Sequence, residues 1–239
     1  MGASLLAVNH LSAWYRQKQE VLTGFSLELA EHEVVGLIGL NGAGKTTFLK
    51  VLSGLLPTFH SDGILFRGEA VGMRDRKFKV NRYVVFAEDN SFQYFTFREY
   101  LAYVFCAYKK EQPEQSELSA LIEGFHFAAY TDVLLRDLST GNRRKAFLIT
   151  AFALKPALLL LDEPVNGLDF QSTEFLYEQM AGYREHGTLL FSSHILESIT
   201  LTSDRVVVLE NGRIRQTYEG GQVDATVLRE ALRDETNDV

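Results

Sequence analysis

Eight consecutive residues, Gly39-Leu40-Asn41-Gly42-Ala43-Gly44-Lys45-Thr46, follow the pattern G-x-x-x-x-G-K-[ST]. Such a run suits the cradling of phosphates. Its glycines let backbone N–H groups close around phosphate oxygens, its lysine supplies a point charge, and its hydroxyl supplies a hard oxygen for Mg²⁺. Further along, the apolar run Leu158-Leu159-Leu160-Leu161 ends in Asp162 and Glu163. An aspartate at a strand tip can hold Mg²⁺ through water, and the adjacent glutamate can polarise an attacking water as general base. Alone, the two acids would read as a solvated strand end. Beside a phosphate-binding loop they read as the metal and base half of a site that hydrolyses a nucleotide.

Those groups meet only if the chain brings several strand ends together. Residues 21–29 carry Phe25, Leu27 and Leu29 at period two, as a strand with one buried face does. Residues 33–38 form a continuous apolar run into the glycines, the pattern of a buried parallel strand. Phe48, Val51, Leu52 and Leu55 follow at helical spacing. Residues 64–66 and 83–86 predict short strands. In the middle, Thr96-Phe97-Arg98-Glu99 has the form of a capping box. Phe97, Tyr100, Leu101, Val104, Phe105 and Tyr108 then recur as on an amphipathic helix, an aromatic stripe expected to be core. Leu118, Leu121, Ile122 and Phe125 predict a second helix. Strands are expected again at 157–161, 188–192 and 205–209, with Asn211-Gly212 as a hairpin turn. Val227, Leu228, Ala231 and Leu232 predict a closing helix, ahead of a polar and frayed end. The alternation argues for an α/β fold with a mostly parallel sheet flanked by helices. It is expected as one domain over 1–239, with a small helical insert at about 90–137.

The chain has 239 residues, 46% of them hydrophobic, and a net charge of −7. A core of good size is possible, and a broad basic footprint for nucleic acid is not expected. Cys106 is the only cysteine, which excludes an intrachain disulfide framework and a cysteine zinc site. No apolar run approaches the roughly 20 residues that span a bilayer; the longest, 146–154, stops at Lys155 and Pro156. The first residues lack the basic flank of a signal peptide and the hydroxyl of a myristoylation site.

With these residues in view, the sequence resembles the ABC-type ATPases over nearly its whole length. Leu138-Ser139-Thr140-Gly141-Asn142 stands where that family carries its signature L-S-G-G-Q, just before a helix leading to the 158–162 strand. The resemblance implies the P-loop ABC-ATPase fold, a mostly parallel core sheet with an antiparallel β subdomain. It implies ATP and Mg²⁺ as ligands. Gly39, Asn41, Gly42, Ala43, Gly44, Lys45, Thr46 and Thr47 would surround the nucleotide, with Thr46, Asp162 and Glu88 at the metal. Tyr15 is expected to stack on adenine, with Trp14 as runner-up. Glu163, His194 and Glu88 would carry catalysis. Ser139, Thr140, Gly141 and Asn142 would face the nucleotide of a second ATPase subunit, and Asp169, in Asn166-Gly167-Leu168-Asp169, would carry signals across that dimer. Transmembrane permease subunits complete the implied assembly. They would hold a cytoplasmic chain at the inner face of the cell membrane, with two identical ATPase subunits favoured over unlike ones.

Two departures stand out. Glu88 occupies the place of the family's usual glutamine, and a carboxylate cannot donate as an amide does. Glutamate there, and the segment Thr96-Phe97-Arg98-Glu99-Tyr100-Leu101, are similar to short ATPases serving drug, peptide and antibiotic exporters. Thr140 replaces the first signature glycine and Asn142 the glutamine, which predicts a working but slow site. Two other readings follow from the same residues. A soluble ABC ATPase acting on DNA or the ribosome would carry a coiled-coil insertion or a second cassette, and neither is present. A weakly hydrolysing regulator would explain the altered signature but not the retention of Glu163 and His194.

Overall fold

The computed structural model describes residues 2–16 and 19–233. Its strands and helices run β1 (Ser4–Arg16), β2 (Gln19–Ala30), β3 (Val34–Ile38), α1 (Lys45–Ser53), β4 (Phe59–His60), β5 (Gly63–Phe66), β6 (Glu69–Ala70), α2 (Arg76–Lys79) and β7 (Arg82–Val85). There follow α3 (Phe97–Tyr108), α4 (Gln115–Gly124), α5 (Thr140–Leu154), β8 (Leu158–Asp162), α6 (Phe170–Gly182), β9 (Thr188–Ser193), α7 (Leu196–Thr202), β10 (Arg205–Glu210), β11 (Arg213–Glu219) and α8 (Ala225–Arg233).

The strands form two sheets. The first is antiparallel in the order β2-β1-β5-β6, with β4 against the far end of β1. The second runs β11-β10-β3-β9-β8-β7, and all neighbours but β11 are parallel. Parallel strands send their C-terminal ends to one edge, where ligands of open α/β sheets collect. The ends of β3, β9, β8 and β7 therefore place the loop after Ile38, His194, Asp162–Glu163 and Glu88 along that edge.

Both faces of this sheet are covered. Val34 and Ile38 of β3 belong to one apolar cluster, while Val35 and Leu37 belong to the other. On β8, Leu159 and Leu161 face the first cluster, and Leu158 and Leu160 the second. Strict alternation between two buried faces is why both segments are uninterrupted apolar runs. The first cluster holds α3, α4, α5 and α6; the second holds α1 and the antiparallel sheet. On α5 every residue from Arg144 to Leu154 is buried, so this helix lies inside the protein rather than on it.

Local chemistry explains the boundaries. Thr96 Oγ1 accepts from the Glu99 N–H at 3.3 Å and Glu99 Oε2 accepts from the Thr96 N–H at 2.8 Å, a complete capping box at the start of α3. These bonds hold the Glu99 carboxyl below its usual range. The expected aromatic stripe is core, since Phe97, Tyr100, Leu101, Val104 and Phe105 are buried. Asn211 and Gly212 take φ of 46° and 76° as the two-residue turn between β10 and β11. The segment at about 90–137 holds α3, α4 and short 3-10 turns at Ala128–Tyr130 and Leu135–Asp137. Strand β1 was not foreseen: bulges at several positions, with His10 at φ 45°, break its alternation. Leu228 anchors α8 in the core, while Ala231, Leu232 and the polar end lie outside the described side chains. Among the described residues, no helix is long and apolar enough to cross a membrane.

Candidate functional site

The loop after β3 is shaped by close packing from behind. A Cβ on Gly39 would stand 2.1 Å from the Leu209 carbonyl oxygen, so the loop rests directly on the β10–β11 hairpin. The Gly212 N–H also donates to the Ala43 carbonyl at 3.1 Å. Gly44 is the N-cap of α1 at φ 110°, a conformation few other residues adopt, and no side chain caps the helix. The N–H groups of the first turn of α1 are therefore left to an anion, and the helix end favours negative charge. Lys45 is buried and its Nζ donates to the carbonyls of Gly39 at 2.6 Å and Leu40 at 3.3 Å. Asn41 and Gly42 are exposed on the loop crest, while Ala43 and Thr47 are buried beneath it.

Beside this loop lies an oxygen-rich cluster. Thr46 Oγ1 is 2.9 and 3.1 Å from the two carboxylate oxygens of Asp162, and Ser192 Oγ donates to Asp162 Oδ1 at 2.7 Å. A hydroxyl and a carboxylate in contact suit Mg²⁺, which takes one or two protein oxygens and completes its shell with water and phosphate. Among the described residues no group of three or more His, Cys, Asp or Glu could form a metal cage of its own. Glu163 is next along the chain and sits at φ 47°. Its N–H donates to Ser192 Oγ at 3.0 Å and the Ser192 carbonyl at 3.2 Å. His194 Nδ1 lies 2.7 Å from Glu163 Oε2, and Lys45 Nζ lies 3.9 Å from Glu163 Oε1. Register explains the grouping, since Asp162 pairs with Ser192 across β8 and β9, and Ile38 with Ser193 across β3 and β9.

Glu88 is exposed after β7 and lines an open cavity of about 650 Å³ together with Thr46, Lys50 and Asp162. Tyr15 reaches α1 from β1: its hydroxyl is 3.4 Å from Thr47 Oγ1, Lys50 Nζ is 5.6 Å from the ring centre, and half of the residue is exposed. Trp14 ties its backbone to Thr58 instead. Of the two aromatics, Tyr15 is the one beside the phosphate loop.

The signature residues sit at the other helix end. Ser139 is the N-cap of α5, its Oγ accepting from the Asn142 N–H at 3.2 Å, and both Ser139 and Thr140 are exposed. Gly141 is closely packed from behind. A Cβ there would lie 2.2 Å from the Gly167 carbonyl oxygen, so α5 and the 166–169 loop touch through this residue. Asp169 has a task within its own chain. It caps α6, accepting from Ser172 N at 3.0 Å, and pairs with Lys145 Nζ at 2.5 Å. Burial works against its ionised form, but the bonds from Lys145 and Ser172 outweigh it and hold the carboxyl well below its usual range.

Sequence reasoning missed Ser192, Arg144 and Lys145. Arg144 and Lys145 are 6% and 4% exposed. One signal was present in the sequence. Arg143-Arg144-Lys145 puts three cations at the start of a helix, where the dipole disfavours them, so some compensating anchor was implied. Ser192 carried no such signal, because a serine in an apolar strand is common.

A family model described as ABC transporter matches residues 22–166. The "Putative ABC transporter ATP-binding protein AlbC" of Bacillus subtilis (strain 168) is 36% identical over 224 residues, covering 92% of this chain and 93% of that protein. The Nod factor export ATP-binding protein I of Burkholderia orbicola (strain AU 1054) is 36% identical over 81% of this chain, which spans 64% of that relative. Among solved structures, an ATP binding subunit of an ABC transporter superposes with a TM-score of 0.82 at 28% identity, over 97% of both chains. A nucleotide-free ATP-binding cassette from an ABC transporter shares the fold, with a TM-score of 0.78 at 18% identity.

Proposed function

This chain belongs to the ABC transporter family as an ATP-binding and ATP-hydrolysing subunit, and on that premise we propose how its residues divide the work. Tyr15 stacks on the adenine. The loop from Gly39 to Thr47 wraps the phosphates, and Lys45 leaves the carbonyls of Gly39 and Leu40 for the β and γ phosphates. Thr46 and Asp162 would hold Mg²⁺, and Glu88 lines the same cavity. When bound, the ion neutralises charge on the phosphates. Glu163 accepts a proton from the attacking water as its oxygen bonds to the γ-phosphorus and the bond to the β-γ bridging oxygen breaks. His194 fixes the Glu163 carboxylate and reaches the same phosphate.

Ser139, Thr140, Gly141 and Asn142 address the nucleotide of a second ATPase subunit, an identical chain, and Asp169 lies on the loop between the two sites. Permease subunits dock near Glu88, where Phe92, Phe95, Tyr103 and the exposed Tyr94 form an aromatic surface. They hold the chain at the inner face of the cell membrane. Transport is outward: Glu88, residues 96–101 and the export named in the Nod factor relative favour that direction. Nucleic acid is not a partner, given the net charge of −7.

One observation carries this reading: Glu163, the neighbour of the Thr46–Asp162 pair, lies 2.7 Å from His194 at the sheet edge. Glu163→Gln is expected to keep ATP affinity and to lower kcat by about 10²–10⁴, the worth of a general base. Turnover near the wild-type rate, measured as phosphate release, would remove Glu163 from that role.

A further inference from the structure

Arg144 is a cation buried to 6% exposure that donates to three backbone carbonyls. Its Nη1 donates to the Glu163 carbonyl at 2.6 Å and to the Asn166 carbonyl at 2.8 Å, and its Nη2 to the Ala87 carbonyl. Those three acceptors lie on three separate segments: the residue before Glu88, the end of β8, and the loop leading to Asp169. Burial lowers the pKa of the guanidinium, while the charges of Asp162, Glu163 and Glu88 favour its ionised form. A guanidinium carries five donors in a rigid fork, so it alone among side chains can span such a set.

Glu163 needs an anchor of this kind. At φ 47° it holds a conformation that non-glycine residues keep only when their surroundings over-determine it. Ser192 fixes its N–H side. Its carbonyl side receives Arg144 and, at 3.2 Å, the Asn166 N–H. Arg144 also lies one turn into α5, whose first residues are the Ser139–Asn142 cap.

We infer that Arg144 is a positioning residue for hydrolysis. Its guanidinium locks the Glu163 backbone and ties it to the start of α5, so that the base and the turn facing the second nucleotide move as one unit. The inference rests on the reading of Glu163 as general base, and it assigns Arg144 no contact with the nucleotide.

Arg144→Ala would leave three carbonyls around a guanidinium-sized space. That space adjoins a cavity of about 170 Å³ lined by Ala87, Glu88, Thr140 and Phe147, through which a small cation can enter. The test is steady-state ATP hydrolysis by the wild type, Arg144→Ala, Arg144→Lys and Glu163→Gln, with ATP affinity measured in parallel. Millimolar guanidinium chloride is compared with equal sodium chloride. Displacing a reacting group by about 1 Å costs about a hundredfold, so Arg144→Ala is expected to lose about that in kcat while KM and ATP affinity stay put. Guanidinium should restore much of the loss in Arg144→Ala and none in Glu163→Gln. Lysine, a point charge that cannot span three carbonyls, should fall between. Wild-type kcat in Arg144→Ala overturns the inference, as does a loss that guanidinium leaves untouched. If the alanine variant does not fold, Arg144→Lys decides, and wild-type kcat there overturns the inference equally. Undiminished turnover in Glu163→Gln would instead bring down the underlying reading of the base, whatever the Arg144 variants do.

Discussion

The two glycine-bearing helix starts of this protein, at α1 and at α5, look alike as sequence motifs and differ in construction. At α1 the glycine N-cap leaves the first-turn N–H groups without a side-chain cap, and Lys45, Thr46 and Asp162 surround the same point within one chain. At α5 Ser139 already caps the helix, and Gly141 is filled from behind by the Gly167 carbonyl. Its basic residues Arg144 and Lys145 turn inward to their own chain. The first motif gathers in one chain the groups proposed to hold phosphate. The second presents exposed Ser139 and Thr140 on a rigidly mounted platform. On the proposed reading the α5 platform serves a second chain, and the contrast then separates variants that abolish binding from variants that abolish turnover.

The widest separation should come from Lys45→Met against Ser139→Ala. Charge-assisted hydrogen bonds contribute about 1.5–3 kcal/mol each, so losing Lys45 should weaken ATP binding by about a hundredfold. Ser139→Ala should leave the affinity of the monomer unchanged and lower turnover instead, as calorimetry and phosphate release would show together. Equal losses of affinity in both would erase the contrast. Next in size is Gly141→Ala, whose Cβ would meet the Gly167 carbonyl. Overpacking of this kind costs about 1–3 kcal/mol, visible in the denaturation midpoint; an unchanged midpoint would make Gly141 a matter of ligand access alone.

Asp169 gives a pH-dependent version of the same comparison. Its carboxyl is held below its unfolded value by Lys145 and Ser172, so its stabilisation is present at neutral pH. It fades as the pH falls below about 4, the unfolded carboxylate value, toward the lower folded value. A half-exposed cap and ion pair of this kind contributes about 1 kcal/mol. Asp169→Asn should therefore cost about that at neutral pH and progressively less in acid, followed by urea denaturation across the range. A deficit that grows in acid would reverse the sign and refute the assignment. The smallest effect is expected at Thr140. Thr140→Gly should raise turnover a few-fold, a change worth about 1 kcal/mol; slower turnover would show that the hydroxyl contributes to the site.

Much of this was legible in the sequence because the relevant signals are local. The runs at 34–38 and 158–161 are apolar without interruption, since both faces of β3 and β8 are buried. The Thr96 capping box and the Asn211-Gly212 turn are settled within four residues. What escaped depends on contacts distant in the chain. β1 is broken by bulges that only its pairing with β2 makes tolerable. Gly39 looks like a phosphate-loop glycine, yet its lost side chain is demanded by Leu209, far along the chain. The partners of Arg144 are backbone carbonyls, which no residue type announces.

On the proposed reading, the α5 cap closes on a nucleotide held by another copy of this chain. This closure is tested most directly by the mass of Glu163→Gln in solution, with and without ATP and Mg²⁺. The expected result is a monomer without nucleotide and a dimer of twice the mass with it. A protein that binds ATP and remains a monomer would contradict the identical-chain sandwich.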